Sequence, residues 1–247
     1  MAWREKRIYS GNMLEIEIYP ISLQERNKSR SRKKRESNIG QRNLNEKNSK
    51  KNIVRLINTN FTEKDLGVTL TYKENELPES LGEAKKDVSN FIRRVKRYLK
   101  KNKLPDLKYI SVVEYKEKRK NNKAVRIHHH LIMSGDIGRD KLESLWNKGR
   151  CNTYRLQADD FGFEGIAKYM LKDPKGNRRY SASRNLKKPV IKINDSKYSR
   201  RKVYNLATGQ GEDFEEMFKE YKLSDFKHVV NDELGAVFIN VKMKRRE

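Results

Sequence analysis

Apolar side chains recur along this chain with two different periods, and the switches between them mark its elements. At residues 67–72, Val68, Leu70 and Tyr72 alternate with Gly67, Thr69 and Thr71, the two-residue period of a half-buried strand. From Leu81 the period lengthens. Leu81, Ala84, Val88, Phe91, Ile92, Val95, Tyr98 and Leu99 fall three and four apart with lysines and arginines between them, which predicts an amphipathic helix ended by Pro105. Two β-rich runs then flank a polar stretch around Asn121 and Asn122, a hairpin signature. The stretch GRDKLESLWNKG predicts a short helix, and DDFGFEGIAKYMLKD another with Asp159 or Asp160 as N-cap. The order strand, helix, strand, strand, helix, helix predicts an α+β fold, an antiparallel sheet with helices packed on one face. Further on, Phe214, Met217, Phe218 and Tyr221 stand at helical spacing, and FKHVVNDELGAVFINVKM predicts a hairpin turning at Gly235.

The front of the chain lacks this patterning. Leu23 to Asn52 is nearly free of large apolar residues and rich in Lys, Arg, Asn and Ser, so it buries too little surface to order itself and predicts an arm, becoming helical where Ile53, Val54, Leu56 and Ile57 supply an apolar face. The expected organisation is a basic arm and lead-in over 1–58, a core over 59–190, and a C-terminal helix and hairpin over 191–247 packed on that core.

Charge points to a partner. With 58 Lys+Arg against 33 Asp+Glu in 247 residues, the formal net charge is +25, an excess that attracts a polyanion, nucleic acid first. No apolar run approaches the roughly 18 residues of a membrane span, and the start, MAWREKRIYSG, lacks the apolar core of a signal peptide. A cytoplasmic location is expected. A single cysteine, Cys151, excludes an internal disulfide and a multi-thiolate metal site.

Three of the four histidines stand together in RIHHHLIM. Strand alternation puts His128 and His130 on one face and His129 on the other. If the hairpin turns about Asn121, opposed residue numbers sum to roughly 242, and Glu114 faces His128. Two imidazoles and a carboxylate with open positions suit a divalent cation that also binds phosphate, Mn²⁺ or Mg²⁺ rather than a closed zinc site. In GIAKYMLKD, Tyr169 and Lys172 share a helix face. A phenol attacks phosphorus if it is helped to lose a proton, and a lysine gives that help. In the segment after it, Arg178, Arg179, Tyr180, Arg184, Asn185 and Lys187 mix cations with an aromatic, which suits single-stranded DNA and equally a solvated loop.

From about Asn60 to Pro189, the motifs VTLTY, YISVVEY, RIHHHLIM and GIAKYMLKDPKGNRRYSASRNLKKP resemble, in order and spacing, those of rolling-circle replication initiators of bacterial plasmids and phages, members of the HUH endonuclease superfamily. The resemblance implies that His128, His130 and Glu114 bind the metal, that Tyr169 is a nucleophile which becomes linked to a 5′ phosphate, and that Lys172 assists it. It implies site-specific nicking that leaves a 3′-OH primer, later rejoining, and single-stranded or locally melted origin DNA as substrate. Host helicase and polymerase are the implied partners, and a homodimer is left open. The middle histidine stands where the family usually has a bulky apolar residue, and no second tyrosine stands beside Tyr169. Relaxases and single-strand transposases share this chemistry. A non-catalytic basic nucleic-acid-binding protein and an RNA-directed factor are the competing readings from charge alone.

Overall fold

The computed structural model describes residues 2–22, 39–116, 125–171, 180–231 and 236–246. In chain order the elements are β1 (Ala2–Ser10), β2 (Met13–Ile21), α1 (Ile39–Asn60), β3 (Leu66–Leu70), α2 (Leu81–Lys101), β4 (Tyr109–Lys116), β5 (Val125–Met133) and α3 (Arg139–Ser144). Then follow β6 (Cys151–Arg155), α4 (Glu164–Met170), β7 (Ser181–Ala182), β8 (Val190–Asn194), α5 (Arg200–Thr208), α6 (Glu212–Met217), β9 (Tyr221–Asn231) and β10 (Ala236–Arg245). The expected α+β class holds, with two antiparallel five-stranded sheets, ordered β8-β1-β2-β10-β9 and β6-β3-β5-β4-β7. The chain divides into two compact units: Met1–Thr59 with Asp159–Gly162 and Lys188–Glu247, and Asn60–Ala158 with Phe163–Lys187.

The second unit is built on the periods read above. Ser80 caps α2 by accepting from Glu83 N at 3.2 Å, while Glu83 accepts from Glu79 N at 2.8 Å, close to a capping box. The stripe Ala84, Val88, Phe91, Ile92, Val95 and Leu99 is buried against Leu66, Val68, Leu70, Leu131 and Met133 of the sheet and Trp146. Fully burying each large apolar side chain contributes on the order of 1.5–3 kcal/mol. Because β3, β4 and β5 pair in register, the residues between these core positions, Thr69, Glu114, His128 and His130, lie on the sheet's other face.

The first unit departs from the expected arm. Ala2–Ser10 and Met13–Ile21 form a hairpin pairing along its whole length, with Gly11 at φ 59° in the turn, where a residue without Cβ is favoured. Leu14, Ile16 and Ile18 are buried with Trp3 in a core shared with β10, α5 and α6. The alternating Glu15 and Glu17 are neutralised by Arg55, whose Nη2 lies 2.6 Å and 2.9 Å from them. Charge on one face of each strand hid the apolar pattern on the other. The C-terminal segment likewise joins β1 and β2 in one sheet, β10 pairing with β2 and β8 with β1. Residues 23–38 and the predicted turns at Asn121, Asn122 and Gly235 lie outside the described residues.

Two local expectations are corrected. The helix carrying Tyr169 begins at Glu164, capped by neither aspartate. Asp159 instead closes its own turn, accepting from Phe161 N at 2.7 Å and bridging to Gly162. The stripe from Phe214 to Tyr221 is helical only to Met217, because Tyr221 opens β9 and pairs with Arg245.

Candidate active site

Glu114 pairs with His128 across the β4–β5 ladder, and Val112 with His130, as the predicted register requires. His130 Nε2 lies 3.0 Å from Glu114 Oε2, and its Nδ1 3.3 Å from Thr69 Oγ1. A carboxylate only accepts, so in a neutral imidazole Nε2 carries the proton and Nδ1 accepts from the threonine hydroxyl. The ring is thereby fixed at both nitrogens. His128 stacks nearly parallel to it at 6.5 Å between centroids.

Tyr169 reaches the same place from α4. Ala167 and Met170 bury together with Phe163 and Leu171, and this stripe turns Tyr169 away from the packed side. Its ring meets His130 edge-on at 5.3 Å, and the residue is 61% exposed. The phenol thus stands in solvent beside an imidazole that touches a carboxylate.

His129 is of a different kind. It is fully buried and lies edge-on to Trp146. Its Nε2 is 2.8 Å from Tyr72 Oη, while Nδ1 is buried without a partner. Burial, reinforced by the flanking histidines, pushes its pKa down to about 3. Burial also pushes the Tyr72 phenol up, with Asp87 adding to it, so the phenol keeps its proton and the pair stays neutral at physiological pH.

The residues fit a divalent cation in kind. They offer imidazole and carboxylate donors and no thiolate, since Cys151 is buried and its thiol is pushed up to about 12 by burial and Glu143. Among the described residues no three His, Cys, Asp or Glu side chains are already gathered as a metal cluster; His130 and Glu114 are in contact, and His128 stands one strand step away on the same face.

The sequence reading did not single out Thr69 or Tyr154. Tyr154 faces the same side from β6, paired with Gly67. A Cβ on Gly67 would come within 2.4–2.7 Å of the Tyr154 ring, so glycine lets the ring lie on the strand. Burial raises the Tyr154 phenol pKa and neighbouring Tyr169 adds to it, which places the two phenols together. The signal available in the sequence is the alternation of Cys151 and Thr153, buried, with Asn152 and Tyr154.

Of the predicted DNA-contacting residues, Arg178 and Arg179, with Lys172, lie outside the described residues. Tyr180 is half-buried beside β7, and Arg184, Asn185 and Lys187 are exposed. Asn185 Nδ2 donates to Leu107 O at 3.4 Å. Lys187 is clamped through its backbone, its N–H donating to Asn60 Oδ1 at 2.7 Å and its carbonyl accepting from Asn60 Nδ2 at 2.8 Å. These contacts fix the segment and leave the Arg184 and Lys187 side chains outward.

Residues 65–174 match a family model of replication-associated proteins, the ORF2 type. The matched stretch holds Thr69, Glu114, the three adjacent histidines, Tyr154, Tyr169 and Lys172. No curated protein and no solved structure matches the chain. No helix among the described residues is long and apolar enough to cross a membrane.

Proposed function

We propose, from the match of residues 65–174 to replication-associated proteins, that this chain is a rolling-circle replication initiator that nicks one strand of origin DNA through Tyr169. The observation that carries the reading is the meeting of three elements at one point: an exposed phenol on α4, the His130 ring on β5 and the Glu114 carboxylate on β4.

The chemistry follows from these positions. The Tyr169 oxygen attacks phosphorus as its proton leaves to a base, the bond to the 3′ oxygen breaks, and that oxygen takes up a proton. The products are a 5′ phosphotyrosine and a free 3′ hydroxyl. That hydroxyl primes a polymerase, and the phosphotyrosine retains the bond energy needed to rejoin ends. His130, Glu114 and His128 are the residues that hold Mn²⁺ or Mg²⁺, which when bound polarises a phosphate oxygen. Binding at His130 Nε2 displaces its proton, and the Thr69 hydroxyl, able to donate or accept, satisfies Nδ1 in either tautomer. Lys172, three residues beyond Tyr169, assists by its charge.

Incubating the protein with a pool of single-stranded oligonucleotides and Mn²⁺, followed by denaturing electrophoresis, tests this. A covalent adduct is expected, absent in Tyr169→Phe, which still binds DNA, and mass spectrometry should place the nucleotide on Tyr169. Failure to form an adduct with any strand, with DNA binding intact, moves the chain to the non-catalytic binding proteins.

A further inference from the structure

The second unit carries a cleft on the side of its sheet away from Tyr169. It has a volume of about 620 Å³ and is lined by α2, β4 and the chain around β7. Its floor is apolar, formed by Val88, Ile92 and Val113, with Tyr109 and Tyr180 at its sides. Lys85, Arg93 and Lys96 line it from α2. Spacings of eight and three residues bring these cations to one stripe of the helix. None of the three is ion-paired with a carboxylate among the described residues, and Lys96 lies over the Tyr109 ring at 5.6 Å. Serine hydroxyls from α2, β4 and β7 complete the lining.

A solvated helix face needs neither the concavity nor the aromatics. An apolar, aromatic floor under three unpaired cations matches what a nucleotide presents, a flat base with a π-face and a phosphate beside it. The cleft is also adjacent to the candidate active site through the sheet, since Val113 and Glu114 are consecutive residues of β4 on opposite faces. We infer that this cleft is a second binding site for single-stranded DNA, taking one or two nucleotides of the strand whose phosphate is presented to Tyr169. The inference rests on the proposed nicking function for the identity of the strand, and on the cleft alone for its chemistry. It gives Tyr180 a place, which composition alone could not separate from a loop.

The test uses the full chain and a fluorescent (dT)20 oligonucleotide, with affinity measured by anisotropy across a salt series. The triple variant Lys85→Gln, Arg93→Gln, Lys96→Gln should lower the slope of log K against log salt by about 2, since each phosphate contact to a single strand contributes about 0.7. The equally charge-reduced Lys86→Gln, Arg97→Gln, Lys101→Gln, on a neighbouring face of the same helix, should change it by less than half as much. Tyr180→Ala should weaken binding about five-fold or more through lost stacking, with no change in melting temperature. Equal effects of the two triples, or an unchanged slope in the first, overturn the cleft. The adduct assay separates this result from the function: an adduct on Tyr169 with an unchanged slope removes the cleft and keeps the nickase. A lowered slope with no adduct keeps the cleft as a DNA site and removes the nickase.

Discussion

Replacing His129 by leucine asks whether three consecutive histidines divide their roles as the strand divides their faces. His129 is fully buried, makes one hydrogen bond to Tyr72 Oη at 2.8 Å, and keeps an unpartnered Nδ1. Losing the hydrogen bond costs about 1 kcal/mol net, while removing a buried unpartnered nitrogen returns about 1–3 kcal/mol. Leucine fills most of the imidazole's space and adds apolar contact with Trp146. The balance is within about 1.5 kcal/mol of zero, which for a chain of this size moves the melting temperature by about 2–4 °C per kcal/mol. His129→Ala differs because it leaves a cavity, and should cost about 2–4 kcal/mol. Thermal unfolding by circular dichroism reads the first quantity and Mn²⁺-dependent adduct formation the second. His129→Leu should keep both fold and adduct, while His128→Ala and His130→Ala fold but form no adduct. The opposite pattern, in which His129→Leu folds but loses the adduct and His128→Ala retains it, would refute the assignment of faces.

Glu5 makes stability pH-dependent at the acid end. Burial alone would raise its pKa, but hydrogen bonds from Lys197, Tyr198 and Arg7 outweigh it and hold the carboxyl below its ordinary value. A depressed carboxylate stabilises the fold above its unfolded pKa of about 4.3, and that contribution is lost as pH falls through the folded pKa. A melting-temperature profile should therefore drop more steeply below about pH 4.3 in the wild type than in Glu5→Gln. Parallel profiles would show that Glu5 contributes none of the slope. Gly67→Val should push the half-exposed Tyr154 ring off β3 at small cost in stability, and should weaken oligonucleotide binding as Tyr154→Ala does. Unchanged affinity in both variants would show that this ring is no part of the DNA surface.

The site was more legible in the sequence than the fold around it, and the difference lies in sequence separation. Glu114 and His128 belong to neighbouring strands of one hairpin, so a short-range count of residues gave their pairing. Thr69 and Tyr154 joined the site through pairings of β3 with β5 and with β6, and nothing local to either residue announces those partners. The front hairpin was hidden for a related reason. Its alternation is plain once read, yet Glu15 and Glu17 are tolerable inside a unit only because Arg55, about forty residues on, lies against both. An unpaired buried carboxylate costs several kcal/mol, so such a strand looks like solvated chain until its partner is known. β8 carries no burial signal at all, since every residue in it is exposed and backbone pairing with β1 alone defines it.

The same contrast explains why RIHHHLIM admits a polar triplet inside a core strand. A period of two assigns each histidine an environment before any metal or DNA is considered. The middle ring must be neutral and paired, and it is, through Tyr72. The outer two are then free of packing duty on the α2 side and face a surface where Glu114, Thr69 and Tyr169 converge. Because β5 lies between β3 and β4 in its sheet, it is held on both edges by backbone hydrogen bonds and its register cannot slip by one residue without burying His128 and His130 and expelling His129, Leu131 and Met133. The packing that stabilises the unit is therefore also what aims the two outer imidazoles at Tyr169's side of the sheet, so a core substitution that loosened the β5 register, rather than any change at the surface, is the route by which fold and chemistry would fail together.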